Sequence, residues 1–168
     1  DNVIFRNEGL DTVEIPDANF EQYLIEQAID KDATLNGEIF RKDVINISDL
    51  NVSNKNIADL TGIESFTALK TLNATNNNIA TIDVTNNQFL ETLLISQNQL
   101  TDIDLSKNIN LKNINLGDNQ FTSINLKENI NLESLNFRNI TISTVDFSTN
   151  TKLKELYIDN SELQSLDV

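Results

Sequence analysis

The side chains of this chain that could do chemistry are carboxylates, amides and hydroxyls, because His and Cys are both absent. Loss of His removes the commonest general base and the commonest transition-metal ligand together. Loss of Cys removes disulfides, thiolate nucleophiles and thiolate metal sites. There is no GxSxG, no glycine-rich phosphate loop, and no carboxylate pair with a reason to be buried together. The sequence reads as a chain without catalytic activity. One stretch does have metal-ligand spacing: Asp30–Val44, DKDATLNGEIFRKDV. With Gly37 placed sixth in a twelve-residue calcium loop, Asp32, Thr34, Asn36, the Glu38 backbone carbonyl and Asp43 fall on the ligating positions.

That spacing resembles an EF-hand loop, with two departures. Thr34 stands where a carboxylate or amide is usual, and Asp43 replaces the longer Glu whose two oxygens reach the ion. The residues after Asp43 (Val44, Ile45, Ile47) read as extended rather than helical. Two readings stay open, bound Ca²⁺ or a turn that keeps the shape without the ion, and the departures favour the turn. No other cofactor is expected.

Two elements must hold this loop. Before it, Pro16-Asp17 punctuates the start of a helix expected over Asp17–Ile29, with Asp17 as N-cap. Phe20, Leu24 and Ala28 recur at helical spacing, widened by Tyr23 and Ile25, while Glu21, Gln22, Glu26 and Gln27 face out. Residues 1–13 read as a tail or a single edge strand, with Val3, Ile4 and Phe5 as its apolar cluster. Residues 14–46 therefore form a helical N-terminal cap containing the loop. The cap is expected to cover the exposed end of the C-terminal part of the chain.

That C-terminal part is periodic. Leucines stand at 69, 90, 111, 132 and 153, a constant spacing of 21 residues, and the first unit, 47–68, is one residue longer at Thr61-Gly62-Ile63. Self-similarity at this period is the mark of a solenoid. The expected units are 47–68, 69–89, 90–110, 111–131, 132–152 and 153–168, one array over 47–168. Positions 1, 4, 6, 11, 14 and 16 are apolar in every unit. Positions 4–6 and 14–16 alternate apolar and polar, as short strands with one buried face do. Asn77, Asn98 and Asn119 at position 9, and Asn87, Asn108, Asn129 and Asn150 at position 19, are expected to satisfy backbone groups where the chain turns a corner. The position-9 ladder breaks at Ile140 and Ser161, so the last two coils are expected to turn differently there. Lys70, Glu91, Lys112, Glu133 and Lys154 at position 2 alternate in sign and favour register. Asp83, Asp104, Asn125, Asp146 and Asp167 at position 15 read as turn residues.

The frame L-x-x-L-x-[LAIF]-x-x-N-x-[LIF]-x-x-[IVL]-[DN]-[VLF]-x-x-N resembles a leucine-rich repeat, of the 21-residue kind found in secreted and surface proteins of Bacteroidetes and in internalin-like solenoids. The N-terminal IPDANFEQYL, the NGEI loop and DLTGIESFTALKTL resemble the start of such proteins. The fold class expected is an α/β repeat solenoid, with a parallel β-sheet on the concave face and short strands or turns on the convex side. Many relatives carry Cys at position 6, where this chain has Ala74, Ile95, Leu116, Phe137 and Ile158, a departure that affects core packing alone. The resemblance implies a non-catalytic binding or adhesion module, secreted or on the surface of a bacterial cell.

The outer face of the first strand is where a partner would be met. Asn73, Leu94, Asn115, Asn136 and Tyr157 (position 5), Arg138 and Asp159 (position 7) and Asp118 (position 8) are the candidate binding residues. Recognition is expected between Leu94 and Tyr157, and a protein is the first-choice partner. Binding of a glycan for polysaccharide capture, or service as a structural spacer, are the alternatives, and a sugar platform would have only Tyr157 to stack on. The net charge of −14 and pI near 4.2 disfavour nucleic acid and anionic lipid. Residues 1–46 hold 11 acids against 4 bases, and the other 122 residues hold 15 against 8. No apolar run approaches the roughly 20 residues of a membrane span, so no membrane insertion is expected. The chain opens at Asp1 without Met, as a processed or trimmed chain would. It stops at Val168, position 16 of a unit, so the array is expected to be cut short or to end against something unseen.

Overall fold

A computed structural model describes residues 11–162, with the backbone of 165–167. The expectations for Val3, Ile4, Phe5, Leu163 and Val168 lie outside the described residues. Strand β1 (Thr12–Glu14) pairs antiparallel with β2 (Glu38–Phe40), Val13 opposite Ile39. Between them runs helix α1 (Ala18–Glu26). Asp17 is its N-cap: one carboxylate oxygen accepts from the Asn19 N–H at 2.9 Å and the Phe20 N–H at 3.1 Å.

The helix is shorter than the apolar spacing predicts. Ala28 takes a left-handed conformation at φ 55°, is exposed, and lets Ile29 N–H return to the Leu24 carbonyl. A left-handed residue terminates a helix in this way. Glu21 also departs from expectation. Rather than facing solvent it is 2% exposed, and one carboxylate oxygen accepts from the backbone of both Asn36 and Gly37 at 2.8 Å. Helical spacing places Glu21 on the polar face, but it cannot show that unpaired loop amides lie beneath that face.

Six three-residue strands make the main parallel sheet: β3 (Asp49–Asn51), β4 (Thr71–Asn73), β5 (Thr92–Leu94), β6 (Asn113–Asn115), β7 (Ser134–Asn136) and, after an intervening strand, β9 (Glu155–Tyr157). Their register repeats the sequence period, Leu50, Leu72, Leu93, Ile114, Leu135 and Leu156 standing in one row. Five steps of about 4.8 Å make a face about 24 Å long. The apolar side chains of successive coils merge into one continuous core.

The second strand of each coil does not form as the alternation predicts. In most coils positions 13–15 are irregular and lead into a turn; among the described residues two coils form a strand there, β8 (Thr144–Asp146) and β10 (Ser165–Asp167), which pair parallel. Position 15 explains the turns. Asp83, Asp104, Asn125 and Asp146 each accept from the backbone N–H two residues on, at 2.9, 2.8, 3.1 and 3.0 Å.

The Asn ladders hold the corners. The Asn98 side chain donates to the Ala74 carbonyl (2.9 Å) and the Ile95 carbonyl (3.1 Å) and accepts from the Ile79 N–H (3.0 Å). Asn77 and Asn119 repeat the arrangement one coil to either side. At Ile140 the ladder ends. The Thr141 hydroxyl then donates to the Phe121 carbonyl at 3.4 Å, the acceptor that a backbone N–H reaches in the coils before. At position 19, each side-chain amide donates to two carbonyls of the previous coil, as Asn108 does to Val84 and Asn87.

The N-terminal segment meets the stack along one seam. Phe20 and Phe66 rings stack with centroids 6.2 Å apart. The second carboxylate oxygen of Asp17 accepts from the Ala58 and Asp59 N–H groups at 2.7 and 3.1 Å. Gly62, in the one-residue extension of the first unit, has φ 101°, and a Cβ there would lie 2.6 Å from the Glu14 carbonyl oxygen and collide with the Ile15 side chain. Only glycine permits this approach.

Candidate functional site

The calcium-like loop is held by its own residues and by Glu21 of α1. Asp32 accepts from the Thr34 N–H (2.9 Å) and the Asn36 side chain (3.3 Å), and Asn36 accepts from the Glu38 N–H (2.9 Å). Asp43 does not stand with them: it lies on a short helix, α2 (Arg41–Val44), and takes the Lys31 ammonium at 2.7 Å. Among the described residues no three His, Cys, Asp or Glu side chains gather around a common ion position. Beside the loop Asp30 is 1% exposed, with one oxygen lacking a partner among the described residues. Burial, then the charge of Asp32, pushes its carboxyl above the usual range.

The outer face of the main sheet has a different character. Asn51, Asn73, Asn115 and Asn136 stand in one column at position 5, and each spends its amide oxygen on the backbone N–H two residues on, at 3.1, 3.1, 3.2 and 2.9 Å. This locks the side-chain rotamer and leaves the NH₂ without an acceptor among the described residues. Leu94 interrupts the column half-buried, and Tyr157 ends it 40% exposed. The Arg138 guanidinium lies over the Tyr157 ring, 5.1 Å from its centroid, and is bound by Asp159 at 2.7 Å. These three expected residues thus form one cluster at the far end of the face.

Asp118 belongs to another system. Position 8 is left-handed in each coil from Asn54 to Asn160, φ 55–58°, which explains the Asn and Asp found there. Its side chains bond along the stack: Asn76 to Asn54 at 2.6 Å, Asn139 to Asp118 at 2.6 Å, and Asn160 to Asn139 at 2.9 Å. Asp118 is exposed but already engaged. The alternating charges at position 2 give two ion pairs, Lys112–Glu91 at 2.6 Å and Lys154–Glu133 at 2.7 Å.

Sequence reasoning missed the near end of the face. There a cavity of about 340 Å³ opens between α1 and the first strands, lined by Tyr23, Asp49, Leu50, Asn51, Thr71, Asn73 and Leu94. The signal was in the first unit, whose Asp49 and Asn51 occupy positions 3 and 5 under the 22-residue shift. Tyr23 sits at the edge of the helix stripe and could be read as core. Ser48 and then Thr71 hold the Asp49 carboxyl below the usual range by hydrogen bonding, and burial pushes the Tyr23 phenol up.

No protein-family model and no curated protein matches the chain. Solved structures do. The functional domain of InlJ from Listeria monocytogenes, described as including a cysteine ladder, aligns at 32% identity and TM-score 0.83, over 94% of this chain and 35% of that one. An internalin, InlF, from the same species aligns at 27% identity and TM-score 0.82, over 90% and 46%. A leucine-rich-repeat protein of Leptospira interrogans aligns at 27% and 0.57, over 61% and 28%. The chain thus spans between about a quarter and a half of these structures. Repeat period, sheet register and structural likeness agree: the chain is a parallel-sheet solenoid of the leucine-rich-repeat fold that the internalin structures share.

Proposed function

We propose that this solenoid is a non-catalytic module that binds a protein partner on the outer face of its main sheet, on or outside a bacterial cell. The observation that carries this reading is the position-5 column. Asn73, Asn115 and Asn136 point rigid, unused N–H donors outward, while the asparagines at positions 8, 9 and 19 are engaged within the stack. Rigid donors lose little entropy on meeting an acceptor. Leu94, Tyr157 and Arg138 are side chains of the kinds that anchor interfaces. The repeat's resemblance to those of secreted and surface proteins supports the location. No helix among the described residues is long and apolar enough to cross a membrane.

A displayed library of protein ectodomains selected on this chain tests the reading, with each binder re-measured on two variants. Asn115→Arg, on the sheet face, is expected to weaken binding tenfold or more; Asp104→Arg, on the opposite turns, is expected to leave it within twofold. Binders indifferent to Asn115→Arg would contradict it. A glycan array in parallel covers the alternative: hits lost on Tyr157→Ala would replace the protein partner with a sugar.

A further inference from the structure

We infer that the cavity between α1 and the first strands is an anchor pocket for one aliphatic residue of a peptide segment in the protein partner, an inference that rests on the proposed sheet-face binding and deepens it. The well is hydrocarbon, with Leu50 as its buried floor and Tyr23 and Leu94 as walls. Leu94 is the one aliphatic residue in a column otherwise of asparagines and a tyrosine, so carbon stands where the cavity needs it. The rim is polar and of both senses. Asn51 and Asn73 present amide N–H groups whose oxygens are already spent. Asp49 presents a carboxylate kept ionised by Ser48, 2.6 Å away.

An apolar well with donors on one side and an acceptor on the other complements one residue of a peptide. The side chain enters the well, the carbonyl takes the Asn N–H groups, and the amide N–H reaches Asp49. A stacked sugar or a cationic side chain fits worse. The Lys55 ammonium already lies over the Tyr23 ring, 5.1 Å from its centroid, and the ring packs on the core. The ring is therefore offered to the cavity as a wall and not as a platform. The size agrees, since small-ligand sites run from about 300 Å³ upward.

Three small probes decide it, titrated into the ¹⁵N,¹³C-labelled chain: N-acetyl-L-leucinamide, N-acetyl-L-lysinamide and methyl α-D-glucoside. The leucine probe is expected to shift Tyr23, Thr71, Leu94 and the Asn51 and Asn73 side-chain amides saturably, at least fivefold more tightly than the other two. Leu94→Asn, which matches the neighbouring coils and so keeps the fold, is expected to weaken it fivefold or more. Absence of saturation, tighter binding of the lysine or glucoside probe, or equal affinity in Leu94→Asn would overturn the pocket. The two readings fail separately: a protein binder lost on Asn115→Arg yet indifferent to Leu94→Asn leaves the sheet-face reading standing and removes only the pocket.

Discussion

The N-terminal segment and the repeat stack are built by opposite means. In the stack the same bonds recur from coil to coil, so Asn77, Asn98 and Asn119 do the same work 21 residues apart. In the N-terminal segment no bond recurs. Asp17 caps α1 and also bonds the first coil, Glu21 alone satisfies the Asn36 and Gly37 amides, and Gly62 alone lets β1 lie against the stack. A repeat array distributes its stability over like neighbours, whereas the seam concentrates it in single residues. The most damaging substitutions should therefore lie at the seam, not in the longer periodic part.

Gly62→Val breaks the seam most severely. It drives a branched side chain into the Glu14 carbonyl and Ile15 at a positive φ, and a loss of about 3 kcal/mol or more is expected in urea unfolding. An unchanged midpoint would mean that the approach is not tight. Asn98→Ala is the matching lesion within the stack. It strands the buried Ile79 N–H and takes one donor each from the Ala74 and Ile95 carbonyls, which Asn77 and Asn119 still bond, for an expected cost of about 1–3 kcal/mol. Asn98→Ile should cost as much, because an aliphatic side chain likewise leaves the Ile79 N–H without its acceptor.

The smallest effect is in pH, where the regions should differ in sign. Asp30 binds its proton more tightly folded than unfolded, chiefly through burial, so its contribution is full below the usual carboxylate pKa of about 4. That contribution fades as pH rises through its raised value. Glu91 and Glu133, held down by their lysines, and Asp104, held down by Ser106, contribute above that range and lose their contribution as pH falls. Between pH 7 and 4, amide exchange around Asp30 should slow relative to amides along these coils; parallel changes in both regions would refute the assignment.

Legibility in the sequence divides along the same line. Period, strand register, the corner asparagines and the turn role of position 15 could all be read, because each was stated several times. The convex side was legible as short strands or turns, but not which coil takes which, since alternation at positions 14–16 is equally served by a turn with one buried side. Glu21, Ala28 and the Tyr23 cavity could not be read. Glu21 and the cavity depend on contacts made once between residues far apart in the chain, and Ala28 on a local left-handed turn that apolar spacing does not register. On the sheet face the column was legible, but the state of its members was not: Asn115 and Asp118 look alike in sequence, and only one is free of the stack.

Exchange of the side-chain amide protons, read by NMR on the protein without a partner, tests that division most directly. Slow exchange is expected at Asn77, Asn98 and Asn119, whose NH₂ groups are buried and bonded, and exchange near that of free asparagine at Asn51, Asn73, Asn115 and Asn136. Equal protection in the two sets would contradict this division, because the fold would then be using the donors assigned here to a partner.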